Sequence, residues 1–321
     1  MEGSPRIVIL DGYTLNPGDL SWGMVEEFGE ATIYDRTDPE QILKRISDAE
    51  VVLTNKVSLS RDAIMHAPFL QYIGVTATGY NIVDVKAAKE RKIIVTNVPA
   101  YGTASVAQHA FALLLELASH VGLHAMDVRQ GGWSSQGDFC YWKKPLVELH
   151  GKTFGIVGLG KIGKAVARIA LGFGMHVLAV HKHPERDRMD GVSFTDIDTL
   201  FREADVVSLH CPLNDDNKAF VNRDLLAVMK PTSFFLNVSR GGLVNENDLA
   251  GALNDNVIAG AGLDVLSVEP PPFNNPLLGA KNCIITPHQA WAAQASRSRL
   301  MNVAINNLKA FLEGHPQNVV S

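Results

Sequence analysis

Three short stretches of this chain each set a chemically useful side chain beside a turn. Arg240 lies in Asn237-Val238-Ser239-Arg240-Gly241-Gly242, Glu269 in Asp264-Val265-Leu266-Ser267-Val268-Glu269-Pro270, and His288 in Thr286-Pro287-His288-Gln289-Ala290-Trp291. Each stretch follows an apolar, strand-like run, and an open α/β sheet places its ligand crevice at such strand ends. Singly, each residue has a plainer reading: a solvated loop charge, a turn carboxylate, a helix cap. A fourth stretch changes their weight. Gly158-Leu159-Gly160-Lys161-Ile162-Gly163 separates an apolar run, 153–157, from an amphipathic one, 164–173. In this setting the first glycine makes a tight turn, the second lets backbone N–H groups approach a pyrophosphate, and the third lets helix and strand pack closely. The phosphate then sits at the positive N-terminus of the helix.

The next strand-like run, Val177-Leu178-Ala179-Val180, ends in His181-Lys182-His183, where an NAD site usually places a carboxylate. Such a carboxylate accepts hydrogen bonds from both ribose hydroxyls and repels a 2′-phosphate. Lys182, Arg186 or protonated histidines attract that phosphate instead. The residues therefore suggest NADP, unless Glu185 or Asp187 supplies the acid or NAD binds without one.

Short apolar runs alternate with amphipathic segments throughout, the pattern of βαβ units and parallel sheets. Strands are expected at 7–10, 51–54, 72–76 and 93–96, with helices near 39–46, 61–66 and 82–91. The alanine-rich stretch 104–121 reads as a long buried helix joining two domains. Six further strands, at 154–157, 177–180, 206–209, 234–238, 258–263 and 284–286, complete a dinucleotide-binding sheet, with the proline-rich 268–272 as a loop where a last helix would stand. A final helix is expected over 292–312, packing back on the first domain. The fold class is thus α/β.

A net charge of −5 gives no electrostatic reason to expect nucleic acid or an anionic membrane as a partner. No apolar run reaches the ~18–20 residues that span a bilayer, and the N-terminus enters its first strand without a signal-like segment, so the expected location is cytoplasmic. Cys140, Cys211 and Cys283 are odd in number and far apart, so they read as buried reduced thiols rather than disulfides, and no metal set emerges.

The ordered motifs resemble those of the D-isomer-specific 2-hydroxyacid dehydrogenases, nearest the glycerate dehydrogenase or hydroxypyruvate reductase subgroup. They run from Gly79-Tyr80-Asn81 through Pro99, Thr103, Val106-Ala107, the glycine loop, His210-Cys211-Pro212-Leu213 and the three stretches above, with Phe139-Cys140-Tyr141-Trp142 marking the subgroup. The resemblance implies two Rossmann-like domains with parallel sheets. Residues 1–100 plus 290–321 would form a flavodoxin-like substrate-binding domain, and 101–289 the NAD(P)-binding domain. It implies that His288 donates a proton to a 2-keto acid, that Glu269 accepts the other ring N–H, and that Arg240 holds the substrate carboxylate and carbonyl oxygen. Glu269 argues against the formate dehydrogenases of the same superfamily, whose pattern has a glutamine there.

Lys56, Thr78, Gly79 and Trp291 are implied at the substrate, and Trp142 either there or at a dimer contact, although both tryptophans also read as core. The implied cofactor contacts are Thr103, Gly158, Gly160, Lys161, Ile162, Gly163, His181, Lys182, His210, Cys211, Pro212, Val238, Ser239, Asp264 and His288. Cys211 is read as no nucleophile. His109, His120 and His124 are expected to be packing or surface residues. The implied protein is a homodimer acting on small 2-keto or 2-hydroxy acids with NAD or NADP. Hydroxypyruvate to D-glycerate, or glyoxylate to glycolate, is the expected reaction. The alternatives are a phosphoglycerate or D-lactate dehydrogenase, or a non-catalytic NAD(H)-sensing protein like the corepressors of this fold.

Overall fold

The computed structural model describes residues 4–321, and it divides into two compact units. The expectation of an N-terminus without a leader begins at Met1–Gly3, outside the described residues.

The first unit comprises the chain up to Gly102 and Ala292–Ser321. Its five strands are β1 (Arg6–Ile9), β2 (Glu30–Ile33), β3 (Val51–Thr54), β4 (Tyr72–Val75) and β5 (Ile94–Thr96), all parallel, in the order β2-β1-β3-β4-β5. Strands β3 and β4 are buried along their whole length, as expected where both faces of a parallel sheet are covered. Strand β2 was not expected from the sequence: Glu-Ala-Thr-Ile lies half exposed at the sheet edge, where pairing needs no apolar run. The last helix runs Gln294–Leu312, two residues shorter at its start than expected, and sets Phe311 against Tyr72 of β4 with ring centroids 4.7 Å apart. Beyond it Val320 N–H bonds to Val95, and Val319 forms an antiparallel bridge with Thr96.

The second unit, Thr103–Trp291, holds seven parallel strands rather than six. They are β6 (Thr153–Val157), β7 (His176–Val180), β8 (Val192–Phe194), β9 (Val206–Leu209), β10 (Phe234–Asn237), β11 (Gly260–Leu263) and β12 (Cys283–Ile285), ordered β12-β11-β10-β9-β6-β7-β8. The unexpected β8 is a three-residue edge strand, Val-Ser-Phe, too short to show a period. The chain leaves β6 toward β7 and β8, then returns to β9 on the other side. That reversal puts a topological switch point between β6 and β9. The helix Thr103–Ser119 is buried on the apolar face carrying Val106, Phe111, Leu113, Leu114 and Leu117. Gly262 of β11 admits it closely, since a Cβ there would meet Leu113 and Leu236 at about 3 Å.

Cys211 and Cys283 are partly buried, and burial raises both thiols, Cys283 to about 12. The expectation of three buried thiols fails at Cys140, which is exposed between an almost bare Phe139 and an exposed Trp142. Among the described residues, no single helix is long and apolar enough to cross a membrane.

Candidate active site

Arg240, Glu269 and His288 follow β10, β11 and β12, three neighbouring strands, so topology alone carries them to the same edge of the sheet. His288 Nδ1 lies 2.6 Å from Glu269 Oε2, and the other carboxylate oxygen accepts Leu266 N–H at 2.9 Å. Nδ1 therefore carries a proton that it donates to Glu269, while Nε2 remains for a substrate. The loop bearing Glu269 is fixed in turn by Glu246, which accepts Ser267 N–H at 2.6 Å and the Asn275 amide at 2.8 Å. Glu246 was missed by the sequence reading because its partners are more than twenty residues away.

The backbone around these side chains is tied strand to strand. Asn237, at the end of β10, accepts Ser239 N–H through its side-chain oxygen and donates its amide to Arg240 C=O, which shapes the arginine loop. Its own C=O accepts Asp264 N–H. Gly241 packs so tightly that an added Cβ would fall 1.9 Å from the Leu266 carbonyl carbon. The arginine loop and the Glu269 loop are thus in backbone contact. Arg240 itself is exposed and donates to Ser239 C=O at 2.8 Å.

Asp264 organises the His288 turn. Its buried carboxylate accepts the Thr286 hydroxyl at 2.6 Å, Gln289 N–H at 2.9 Å and Ala290 N–H at 2.8 Å, and its C=O accepts His288 N–H at 2.8 Å. Burial alone would push this carboxyl up. Hydrogen bonds from His109, Thr286, Ala290 and Gln289 outweigh it and hold the group below the ordinary carboxylate range. His288 takes a left-handed backbone conformation, φ +51°, unusual for a residue with a side chain. Trp291, next along, is half buried against the core of this unit.

At the switch point the glycine loop has the geometry a pyrophosphate needs. Gly158 has φ +102°, and a Cβ there would strike the backbone of His210 and Cys211 at 2.7–2.8 Å. A Cβ on Gly163 would strike Gly158 C=O at 2.1 Å, whereas Gly160 borders open space at the N-terminus of the helix Lys161–Gly172. These three glycines therefore leave a cradle of bare backbone that fits a dinucleotide phosphate. Lys161 is exposed and Ile162 half buried beside it. On the other wall Ser239 Oγ donates to Cys211 C=O, Val238 is buried, and Pro212 is exposed. His210 bonds Ser208 Oγ through Nε2 at 2.8 Å, while its Nδ1 is buried without a partner. Burial pushes this imidazole down to about 3, so it is neutral.

Beyond β7, Leu159 N–H donates to His181 Nδ1 at 3.1 Å, which leaves the ring proton on Nε2 to bond Asp187 at 2.9 Å. Asp187 also receives Lys164 at 2.9 Å and Arg186 at 2.6 Å. Bonds from Lys164, His181 and Arg186 hold its carboxyl far below the usual range. Lys182 and His183 are exposed beside this cluster. Of the two acids open in the sequence, Asp187 turns toward His181, and Glu185 pairs with Arg188 at 2.6 Å.

Thr103, half buried, begins the long helix of this second unit. Lys56, Thr78 and Gly79 belong to the first unit. There the backbone N–H groups of Asn55, Lys56 and Val57 bond the Asp11 carboxylate, and Thr78 Oγ1 bonds Val98 C=O at 2.9 Å. A cavity of about 660 Å³ in this unit is lined by Asp11, Arg36, Thr37, Lys56 and Ser58. Among the described residues no cluster of histidine, cysteine and acidic side chains is arranged to hold a metal.

A phosphate-binding glycine cradle at the switch point, with a Glu–His pair and an arginine at the adjoining strand ends, defines a nicotinamide-dependent oxidoreductase of the two-domain α/β class. Residues 111–290 match the D-isomer specific 2-hydroxyacid dehydrogenase NAD binding domain, and the chain belongs to that family. A hydroxypyruvate reductase of Blautia hydrogenotrophica is 50% identical across 98% of this chain and 99% of its own. A glycerate dehydrogenase of Methylorubrum extorquens is 37% identical across 98% of each. An NADPH-dependent glyoxylate/hydroxypyruvate reductase of Sinorhizobium meliloti, solved with NADP and malonate, superposes with a TM-score of 0.84 at 29% identity, covering 99% of this chain and 97% of its own. This chain is accordingly an NAD(P)-dependent enzyme acting on the CH–OH group of 2-hydroxy acids.

Proposed function

We propose that this enzyme reduces hydroxypyruvate to D-glycerate and glyoxylate to glycolate, with NADPH accepted. The observation that carries the reading is the 2.6 Å contact between His288 and Glu269, an imidazole braced by a carboxylate at the strand ends beside the glycine cradle. When bound, a reduced nicotinamide supplies the hydride. Nε2 of His288 gives its proton to the carbonyl oxygen as negative charge builds there, and Glu269 stabilises the imidazolium beforehand and orients the ring. Arg240 presents two parallel N–H groups to the substrate carboxylate and carbonyl oxygen. Lys56, Thr78, Gly79 and Trp291 are proposed to complete substrate binding. Gly158, Gly160, Lys161, Ile162 and Gly163 would hold the pyrophosphate, His210, Cys211 and Pro212 the adenine side, and Thr103, Val238, Ser239 and Asp264 the nicotinamide side. His181 and Lys182 would face the adenosine ribose.

NADPH is favoured because Asp187 already bonds three cationic or N–H donors and has little acceptor capacity left for ribose hydroxyls, while Lys182 stays exposed. A panel of hydroxypyruvate, glyoxylate and pyruvate, each with both reduced coenzymes, tests the reading. Hydroxypyruvate should give the highest kcat/KM. A large NADH preference removes the coenzyme assignment, and binding of NADPH without turnover of any keto acid leaves the sensing alternative. A phosphorylated substrate is a second reading, supported by the cavity that Arg36 and Lys56 line in the first unit. It predicts that 3-phosphohydroxypyruvate outruns hydroxypyruvate.

A homodimer working in the cytoplasm belongs to the same proposal. The helix Val121–Arg129 buries none of its residues, and it exposes Val121 and Met126 near Trp133, Phe139 and Trp142 in sequence. All three cysteines are free, which suits a reducing compartment.

A further inference from the structure

His109, on the buried helix Thr103–Ser119, does more than pack. Its Nε2 lies 2.9 Å from Thr286 Oγ1 and 3.4 Å from Asp264 Oδ1. The directions of these bonds follow from proton counting. Asp264 is ionised, so the Thr286 hydroxyl, 2.6 Å from Oδ1, spends its one proton on the carboxylate. Its oxygen then accepts from His109, so Nε2 of His109 carries a proton. The chain runs His109 Nε2–H to Thr286 O–H to Asp264 carboxylate.

The same carboxylate and its C=O hold the N–H groups of His288, Gln289 and Ala290. Thr286 N–H bonds Leu263 C=O, and Pro287 has no N–H to offer, so every backbone N–H of 286–290 is engaged. Left-handed backbone at a residue with a Cβ is strained and persists only where its surroundings over-determine it. The φ of +51° at His288 is such a conformation.

We propose that His109 is a positioning residue for His288, acting through Thr286 and Asp264. It fixes the turn that aims the proton-donating imidazole, from a helix that lies outside all three strand-end loops. Asp264, the acid facing His109, and Glu269, the acid facing His288, are the charged groups in direct contact with the two rings.

The kinetic arm of the test rests on the keto-acid reduction proposed above, and the exchange arm does not. In H109L and T286V, kcat with the best keto acid should fall about tenfold, and the basic limb of the kcat/KM pH profile should move. H109Q, whose amide N–H reaches the same oxygen, and T286S, which keeps the hydroxyl, should recover to within about threefold. Combining H109L with T286V should cost no more than the worse single change, as for members of one chain. Amide hydrogen exchange at 288–290 should quicken in H109L and T286V relative to the parent, whatever the activity. An unaltered exchange rate at these amides in T286V, additive kinetic losses, or an H109Q enzyme as damaged as H109L would overturn the proposal. Should H109L fail to fold, the contrast between T286V and T286S decides alone: equal behaviour of the two overturns it.

Discussion

At the scale of single residues, the reacting groups differ in how much each depends on shape. Arg240 is exposed, and in the proposed role it would act through the planar fork of its guanidinium, so Arg240→Lys keeps the charge but loses the paired donors. We expect kcat/KM for the keto acid to fall on the order of 10²–10³-fold, as for removal of one oriented donor, with the Kd for NADPH nearly unchanged. Fluorescence titration of the coenzyme beside steady-state kinetics checks both. Glu269→Gln removes the charge that favours the imidazolium while keeping the fold of the loop. Its kcat/KM for the keto acid should fall while coenzyme binding is nearly unchanged, which the same titration and kinetics read directly.

His210 gives a stability prediction whose sign is fixed by burial. Its folded value, about 3, lies below the 6.5 of an unfolded histidine, so between these limits only the unfolded chain takes up the proton. Stability must therefore fall as pH drops below about 6.5, by about 2 kcal/mol between pH 7 and pH 5 from this group alone. His210→Gln should remove that part of the pH dependence, measured by urea unfolding at the two pH values.

At the scale of elements, the turns matter as much as the side chains they carry. Gly241→Ala would drive a methyl into the Leu266–Ser267 backbone, and one of the two loops must yield. We expect a loss of about 1–3 kcal/mol in stability and a larger proportional loss of kcat/KM, since the displaced loops carry Arg240 and Glu269. Thermal unfolding and kinetics on the same variant separate the two effects. Strands β6, β9 and β10 were legible in the sequence because they lie inside the sheet, buried on both faces, and are rich in apolar residues. Edge strands β2 and β8 were not, since Glu30 and Ser193 face solvent and neither strand needs a full apolar run. The glycine loop, Arg240, Glu269 and His288 could be read from local patterns. Glu246, the Asp187 cluster and the bond from His109 to Thr286 could not, because each joins side chains brought together only by topology. His109 in particular reads as a packing residue of an alanine-rich helix until Thr286 is seen opposite it.

At the scale of the whole molecule, the exposed apolar side chains of 121–146 are the surface on which the proposed dimer would form. Light scattering should give twice the chain mass. Met126→Glu combined with Trp142→Glu should lower it toward that of a single chain, and a parent protein that is already monomeric ends the dimer proposal. The family's motifs were legible along nearly the whole sequence, but the exposure of Cys140 was not, because sequence alone does not separate a core thiol from one on an uncovered face.

The first unit is discontinuous: its sheet is made early in the chain, and the helix that sets Phe311 on Tyr72 comes after the entire second unit. At about 5–20 residues per second, the intervening 103–291 takes about 10–40 s to synthesise. For that interval the Tyr72 face of β4 and the backbone of β5 that later meets Val319 and Val320 lack their partners. The nascent protein therefore carries an unfinished sheet while its second unit folds, and this is the period in which chaperones would engage it and aggregation would begin.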